Sequence, residues 1–115
     1  MLAKSLTSLY DGIAHCGRQP ETLCLVVCEL AFDMREALKT AWSAALGSEP
    51  SFSRVELRLP NSSVLLFRCA TQRERMMGLR VHFYVNLARE SWDELESNIL
   101  RMMLQPLPHN AISSK

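Results

Sequence analysis

Arginines that alternate with apolar residues are the feature of this 115-residue sequence best suited to chemistry. Between residues 54 and 89 there are seven arginines and two glutamates, a local net charge of +5, although the whole chain carries only +1. A guanidinium group binds carboxylates and phosphates through a planar fork and also stacks on aromatic rings. This separation of charge along the chain predicts a surface for acidic ligands.

Strand-like alternation would place these arginines on one face of a sheet. The segments 54–59, 64–70 and 79–86 alternate apolar with polar residues, which is typical of strands that are buried on one side only. Their apolar side chains would face the core, and their polar side chains would face solvent. On that solvent face we expect the partner-binding residues Arg54, Arg58, Arg68, Arg80, His82 and Tyr84.

The favoured function is a small non-enzymatic intracellular interaction module, such as an inhibitor, an adaptor or an accessory factor. It would recognise an acidic protein surface through the arginine-rich face. The alternative is a nucleic-acid-binding accessory protein in which His82 and Tyr84 stack on bases. The near-neutral whole-chain charge weighs against nucleic acid, because such domains are usually clearly basic. A third interpretation is a solvated face with cross-strand ion pairs and no binding role.

The cysteines give little sign of catalysis or metal binding. Cys24 and Cys28 lie in an apolar run, where thiols usually serve as small hydrophobes, and no second pair completes a metal site. Cys69 should face inward and His82 outward, so they would not form a nucleophile and base. We therefore predict no enzyme activity, no metal and no cofactor. Because no export signal is recognised, the thiols are expected to stay free in the cytoplasm.

Residues 20–46 allow two interpretations. Apolar residues recur at a spacing of three and four from Leu23 to Ala45, which predicts one long helix that starts at Pro20 and ends before Gly47. The alternative is a strand at 22–29 followed by a helix that starts at Asp33. On the long helix, Leu25, Cys28 and Phe32 would form an uncovered apolar surface on the polar side. These three residues predict self-association as a homodimer.

The remaining elements complete the predicted fold. Residues 5–16 have the pattern of a short helix, and a capping sequence at Ser91 opens a closing helix at 91–104. The order α-α-β-β-β-α predicts an α+β fold, a three-stranded antiparallel sheet with helices packed on one face. The length suits a single domain at 1–104 with a C-terminal tail at 105–115. The longest nearly apolar run has ten residues, too few to span a membrane, so no membrane partner is expected.

Overall fold

A computed structural model describes residues 4–72, 76, 79–88 and 105–106 of the chain. Two helices and a mixed six-stranded sheet account for most of these residues, a two-stranded sheet adds four more, and loops and turns make up the rest. The predicted helix at 91–104 lies outside the described residues. The elements, in chain order, are β1 (Lys4–Leu6), α1 (Leu9–Arg18), β2 (Leu23–Cys28), α2 (Ala31–Ala44), β3 (Glu49–Ser51), β4 (Glu56–Arg58), β5 (Val64–Cys69), β6 (Arg80–Val81), β7 (Phe83–Asn86) and β8 (Gln105–Pro106).

The six-stranded sheet has the order β1-β7-β2-β5-β4-β3. Strands β1, β7, β2 and β5 run parallel to one another, whereas β4 is antiparallel to both β5 and β3. The predicted three-stranded antiparallel sheet with the order α-α-β-β-β-α is therefore wrong. The sequence pattern shows where the strands lie but not how they pair. Strand β7 lies between β1 and β2, and both of these strands are far from it in the sequence. An α+β class still describes the architecture, with two helices and a mixed sheet.

Residues 20–46 form a strand followed by a helix. The predicted long helix is wrong, and the alternative strand at 22–29 corresponds to β2. All six residues of β2 are apolar, so the run fits a helical period as well as a strand, and burial on both faces explains its composition. Helix α2 begins at Ala31, two residues before the predicted start. The backbone N–H of Leu30 donates to Asp33 Oδ2 over 3.1 Å at this helix start.

The first helix also starts later than its pattern predicts. Residues 4–6 form the edge strand β1, which pairs in parallel with β7. Helix α1 then begins at Leu9, and Ser8 is its N-cap residue because the Ser8 hydroxyl accepts from the Asp11 backbone N–H at 3.2 Å.

Apolar side chains form two buried clusters, one on each face of the sheet. The first lies under the helices and joins Val26, Phe67 and Val85 to Leu38 of α2. The second lies on the opposite face and contains the side chains Leu25, Val27, Met76, Val81, Tyr84 and Ala88. Strands β2 and β7 are therefore covered on both sides. The solvent-exposed face predicted for residues 79–86 does not form.

At the β4–β5 side of the sheet, the face away from the helices is exposed to solvent. In β5, buried and half-buried residues alternate, and in β4 Leu57 is buried while Arg58 is exposed. Leu57 and Leu65 belong to the cluster under the helices, so their neighbours along the two strands point to the opposite face. Only this half of the sheet keeps the one-sided burial that the alternation predicts.

The turn between β4 and β5 ties the open half to α1. The Asn61 side-chain amide donates to Cys16 O over 2.7 Å, and the Ser63 hydroxyl donates to the same carbonyl over 2.9 Å. The Ser63 hydroxyl also accepts from the buried backbone N–H of Thr22 at 3.0 Å. The two bonds to Cys16 O satisfy a carbonyl in the last turn of α1, a group that the end of a helix otherwise leaves without a partner.

Candidate interaction surface

Three of the predicted arginines lie together at the open end of the sheet. Arg54 lies in the loop between β3 and β4, Arg58 in β4 and Arg68 in β5. Arg68 Nη1 donates to the Arg54 carbonyl over 3.4 Å and to the Phe67 carbonyl over 2.8 Å. The strand register places Arg58 and Arg68 on the same face, because Glu56 pairs with Leu66 and Arg58 with Val64. Arg54, Arg58 and Arg68 are called the arginine cluster below.

The arginine cluster is only partly neutralised. Arg54 Nη1 lies 3.7 Å from Glu56 Oε1, but the arginine side chain is largely exposed, and such surface pairs contribute little. Arg58 is exposed and makes no ion pair within the described part of the chain, although Glu49 lies directly opposite it in β3. At least one guanidinium group is thus available to a carboxylate from outside.

The other three predicted binding residues lie elsewhere. Arg80 is exposed but belongs to β6 in the two-stranded sheet. Tyr84 is only 1% exposed, and His82 is also buried. The backbone N–H of Leu23 donates to His82 Nδ1 over 3.1 Å, and the His82 backbone N–H donates to Leu23 O over 3.0 Å. Tyr84 lies inside because β7 is a central strand, and His82, directly before β7, is buried against the start of β2. A binding role for Arg80 stays a prediction.

A strained residue ends the loop that presents Arg54. Val55 has a φ of 53°, in the left-handed region that β-branched residues rarely adopt. Its carbonyl accepts from the Phe67 backbone N–H at 3.0 Å, which holds it in place. Such strain persists only where the surrounding structure fixes it, and it is common at functional sites.

An exposed aromatic pair lies beside this loop. Trp42 of α2 is 46% exposed and Phe52 of the loop is 43% exposed. Their ring centroids are 6.1 Å apart, and the planes meet at 72°, an edge-to-face arrangement. Tryptophan and arginine are enriched among residues that dominate binding energy at protein interfaces. The sequence prediction missed this pair, because the exposed side of α2 is defined only once the helix is known to start at Ala31.

The predicted self-association residues do not form one surface. Leu25 and Cys28 are buried in β2 and belong to the two different clusters, on opposite faces of the sheet. Phe32 lies in α2 and is 71% exposed. A spacing of three and four residues brings side chains together only within one helix, and these three residues lie in a strand and a helix. Because Leu25 and Cys28 are buried, they cannot contribute to an exposed surface in this fold.

The four cysteines are buried free thiols. Burial raises the pKa of the Cys28 thiol to about 12, with smaller contributions from Asp33 and Cys69. A hydrogen bond with Cys16, together with burial, holds the pKa of Cys24 well above its usual value. A protonated thiol is a poor nucleophile and a poor metal ligand. Among the residues that the structure describes, no three histidine, cysteine or acidic side chains are grouped to hold a metal ion.

A cavity of about 300 Å³ lies between the C-terminal ends of the two helices. No titratable side chain is among the described residues that line it, so the cavity lacks the groups that acid–base chemistry needs. Its lining is formed by Ile13, Gly17, Ala45, Leu46, Leu59, Pro60 and Asn61.

No protein family, curated protein or solved structure matches the chain. Neither described helix is long and apolar enough to cross a membrane.

Proposed function

We propose that the protein is a small non-enzymatic interaction module that binds an acidic protein surface through the arginine cluster. The observation that carries this proposal is the exposed Arg58, which has no ion pair in the described part of the chain and shares a sheet face with Arg68. Guanidinium groups that are fixed on a rigid sheet bind carboxylates with defined geometry. A cytoplasmic location belongs to this proposal, since free cysteines suit a reducing compartment.

An acidic protein suits this surface better than a nucleic acid does. Sheets that bind single strands stack bases on exposed aromatic side chains. His82 and Tyr84 were the predicted stacking residues, and both are buried. The whole-chain net charge of +1 is also small for a nucleic-acid-binding domain.

The proposal is tested with a labelled flexible peptide of alternating glutamate and serine. Arg58→Glu should weaken its binding about tenfold, because a repulsive pair replaces an attractive one. Arg18→Glu is the matched control, since Arg18 is an exposed arginine at the far end of α1. It should change the dissociation constant less than about twofold.

Fluorescence anisotropy gives the dissociation constants, and thermal melting shows that both variants fold. Equal weakening by Arg58→Glu and Arg18→Glu would reveal attraction to overall charge and would contradict a defined site. An unchanged dissociation constant for Arg58→Glu would contradict the proposal as well.

A further inference from the structure

Helix α2 exposes a row of side chains in addition to the face that it buries. Leu38 and Ala41 are fully buried under the sheet and fill the usual role of the apolar face. A surface helix normally keeps its large apolar residues on that face. Phe32 and Trp42 instead stand in solvent on α2, at opposite ends of one exposed row.

The row is continuous and contains two cations. Phe32, Arg35, Lys39 and Trp42 follow one another at a spacing of three, four and three residues, which places them on one side of a helix. Arg35 is exposed and makes no ion pair within the described residues, while Lys39 Nζ lies 3.6 Å from Glu36 Oε2 in an exposed pair. We call Phe32, Arg35, Lys39 and Trp42 the α2 stripe.

The α2 stripe ends at the aromatic pair, beside the loop that holds Arg54. The Trp42 ring meets the Phe52 ring edge to face, and Phe52 shares its loop with Arg54. Leu46 follows the end of α2 and is 94% exposed, so it adds a further exposed apolar side chain near Trp42 in the sequence. One side of the molecule therefore presents an aromatic residue, two cations and an aromatic pair in succession.

We propose that the α2 stripe is the docking site for an acidic amphipathic helix of a partner protein. This inference rests on the proposed function and specifies the form of its acidic partner. Apolar side chains of the partner would pack on Phe32 and Trp42, and carboxylates would pair with Arg35 and Lys39. Ten residues of α2 separate the two aromatic residues, about 15 Å, so about three turns of a partner helix cover the site.

Charge decides between a partner protein and a second copy of the chain. If two α2 stripes packed against each other, Arg35 and Lys39 of one copy would lie close to the same cations of the other. Such like-charge contacts disfavour the pairing, whereas glutamates on a partner helix would pair with both Arg35 and Lys39.

The probe is a labelled 15-residue peptide that carries leucines at helical spacing with glutamates beside them. A scrambled peptide of the same composition loses the amphipathic pattern and keeps the charge. The variants Phe32→Ser and Arg35→Glu are each compared with a matched exposed control on α1, Tyr10→Ser for the aromatic residue and Arg18→Glu for the cation. All four sites are exposed, so melting temperatures should stay close to that of the unchanged protein.

Each stripe variant should raise the dissociation constant of the helical peptide about tenfold, and each control less than twofold. The scrambled peptide should bind at least about tenfold more weakly than the helical one. Equal binding of the two peptides, or no effect of Phe32→Ser and Arg35→Glu, would overturn the inference.

Two further results would also overturn it. A dimer that Phe32→Ser converts to a monomer would show that a second copy occupies the stripe. Binding to anionic phospholipid vesicles without binding to the helical peptide would assign the stripe to a lipid surface. If the flexible acidic peptide still binds in a manner that depends on Arg58, the proposed function stands while the helical partner fails.

Discussion

Strands β4 and β7 have similar sequence patterns and opposite environments. In β4, Glu56 and Arg58 alternate with Leu57, and the sheet face that carries the charges is open. In β7, Tyr84 and Asn86 alternate with apolar residues in the same way, yet all four residues are buried. Strand β4 lies near one edge of the sheet, whereas β7 lies between β1 and β2.

This comparison shows that alternation identifies a strand but does not show what covers its second face. Whether the second face is covered depends on the strand's place in the sheet and on residues outside the strand, such as Met76 and Val81, which belong to the same buried cluster as Tyr84. The buried polar groups of this region then need internal partners. Asn86 Oδ1 accepts from the Ala88 backbone N–H at 3.1 Å, and His82 bonds to the backbone of Leu23.

The largest contrast between the two strands should come from truncation. Tyr84→Ala removes a fully packed aromatic side chain and should lower the free energy of unfolding by about 3–5 kcal/mol. Arg58→Ala is the counterpart in β4 and should change it by less than about 0.5 kcal/mol. Urea unfolding of both variants gives the two values. Similar losses would break the comparison.

Alkaline pH should destabilise the covered half through Cys28. Its pKa is about 12 in the folded protein, against 9.0 for an ordinary thiol. Above pH 9 the unfolded chain releases this proton while the folded chain retains it, so stability falls as pH rises, by about 3 kcal/mol at pH 11.

The measurement is urea unfolding between pH 8 and 11 in the unchanged protein and in Cys28→Ala. Other groups titrate in both proteins, so the difference in slope isolates the thiol. Parallel slopes would show that the Cys28 thiol ionises as readily in the folded chain as in the unfolded one.

A smaller effect is expected at the turn that joins the two halves. Ser63→Ala leaves the buried Thr22 N–H without its acceptor and should cost about 1–3 kcal/mol. Ser53→Ala in the exposed loop is the control and should cost less than about 0.5 kcal/mol. If thermal melting shows equal shifts for the two variants, the turn does not hold α1 to the sheet as described.

The smallest effect on stability should come from Trp42→Ala. The side chain is about half exposed and loses mainly its contact with Phe52, which is worth about 1 kcal/mol. The same variant should reduce the free energy of binding to the helical acidic peptide by more than it reduces the free energy of unfolding. A loss of several kcal/mol in urea unfolding would assign Trp42 to the core and leave only Phe32 as the aromatic anchor.

Local pattern was sufficient for the open half of the molecule. The strands around Arg58 and Arg68 were predicted from their alternation, and their shared face follows from it. The local pattern failed for residues 20–46, because an entirely apolar strand matches a helical period as well as the period of a strand. Residues 4–6 join the sheet only by pairing with β7, which lies about 80 residues later, and no local signal marks such a pairing. The aromatic pair of Trp42 and Phe52 was missed for the first reason, because the exposed side of α2 is known only when the helix is known to start at Ala31.

The most direct test of the central claim is chemical-shift mapping of the ¹⁵N-labelled protein during titration with the helical acidic peptide. The claim is that the open half and the α2 stripe bind, while the covered half only supports the fold. The helical peptide should cause its largest shift changes in residues 32–42 and at Phe52, and a parallel titration with the flexible acidic peptide should cause them in residues 54–58 and at Arg68. In both titrations β7 and α1 should be almost unchanged. Changes centred on β7, or none at peptide concentrations in large excess, would contradict it.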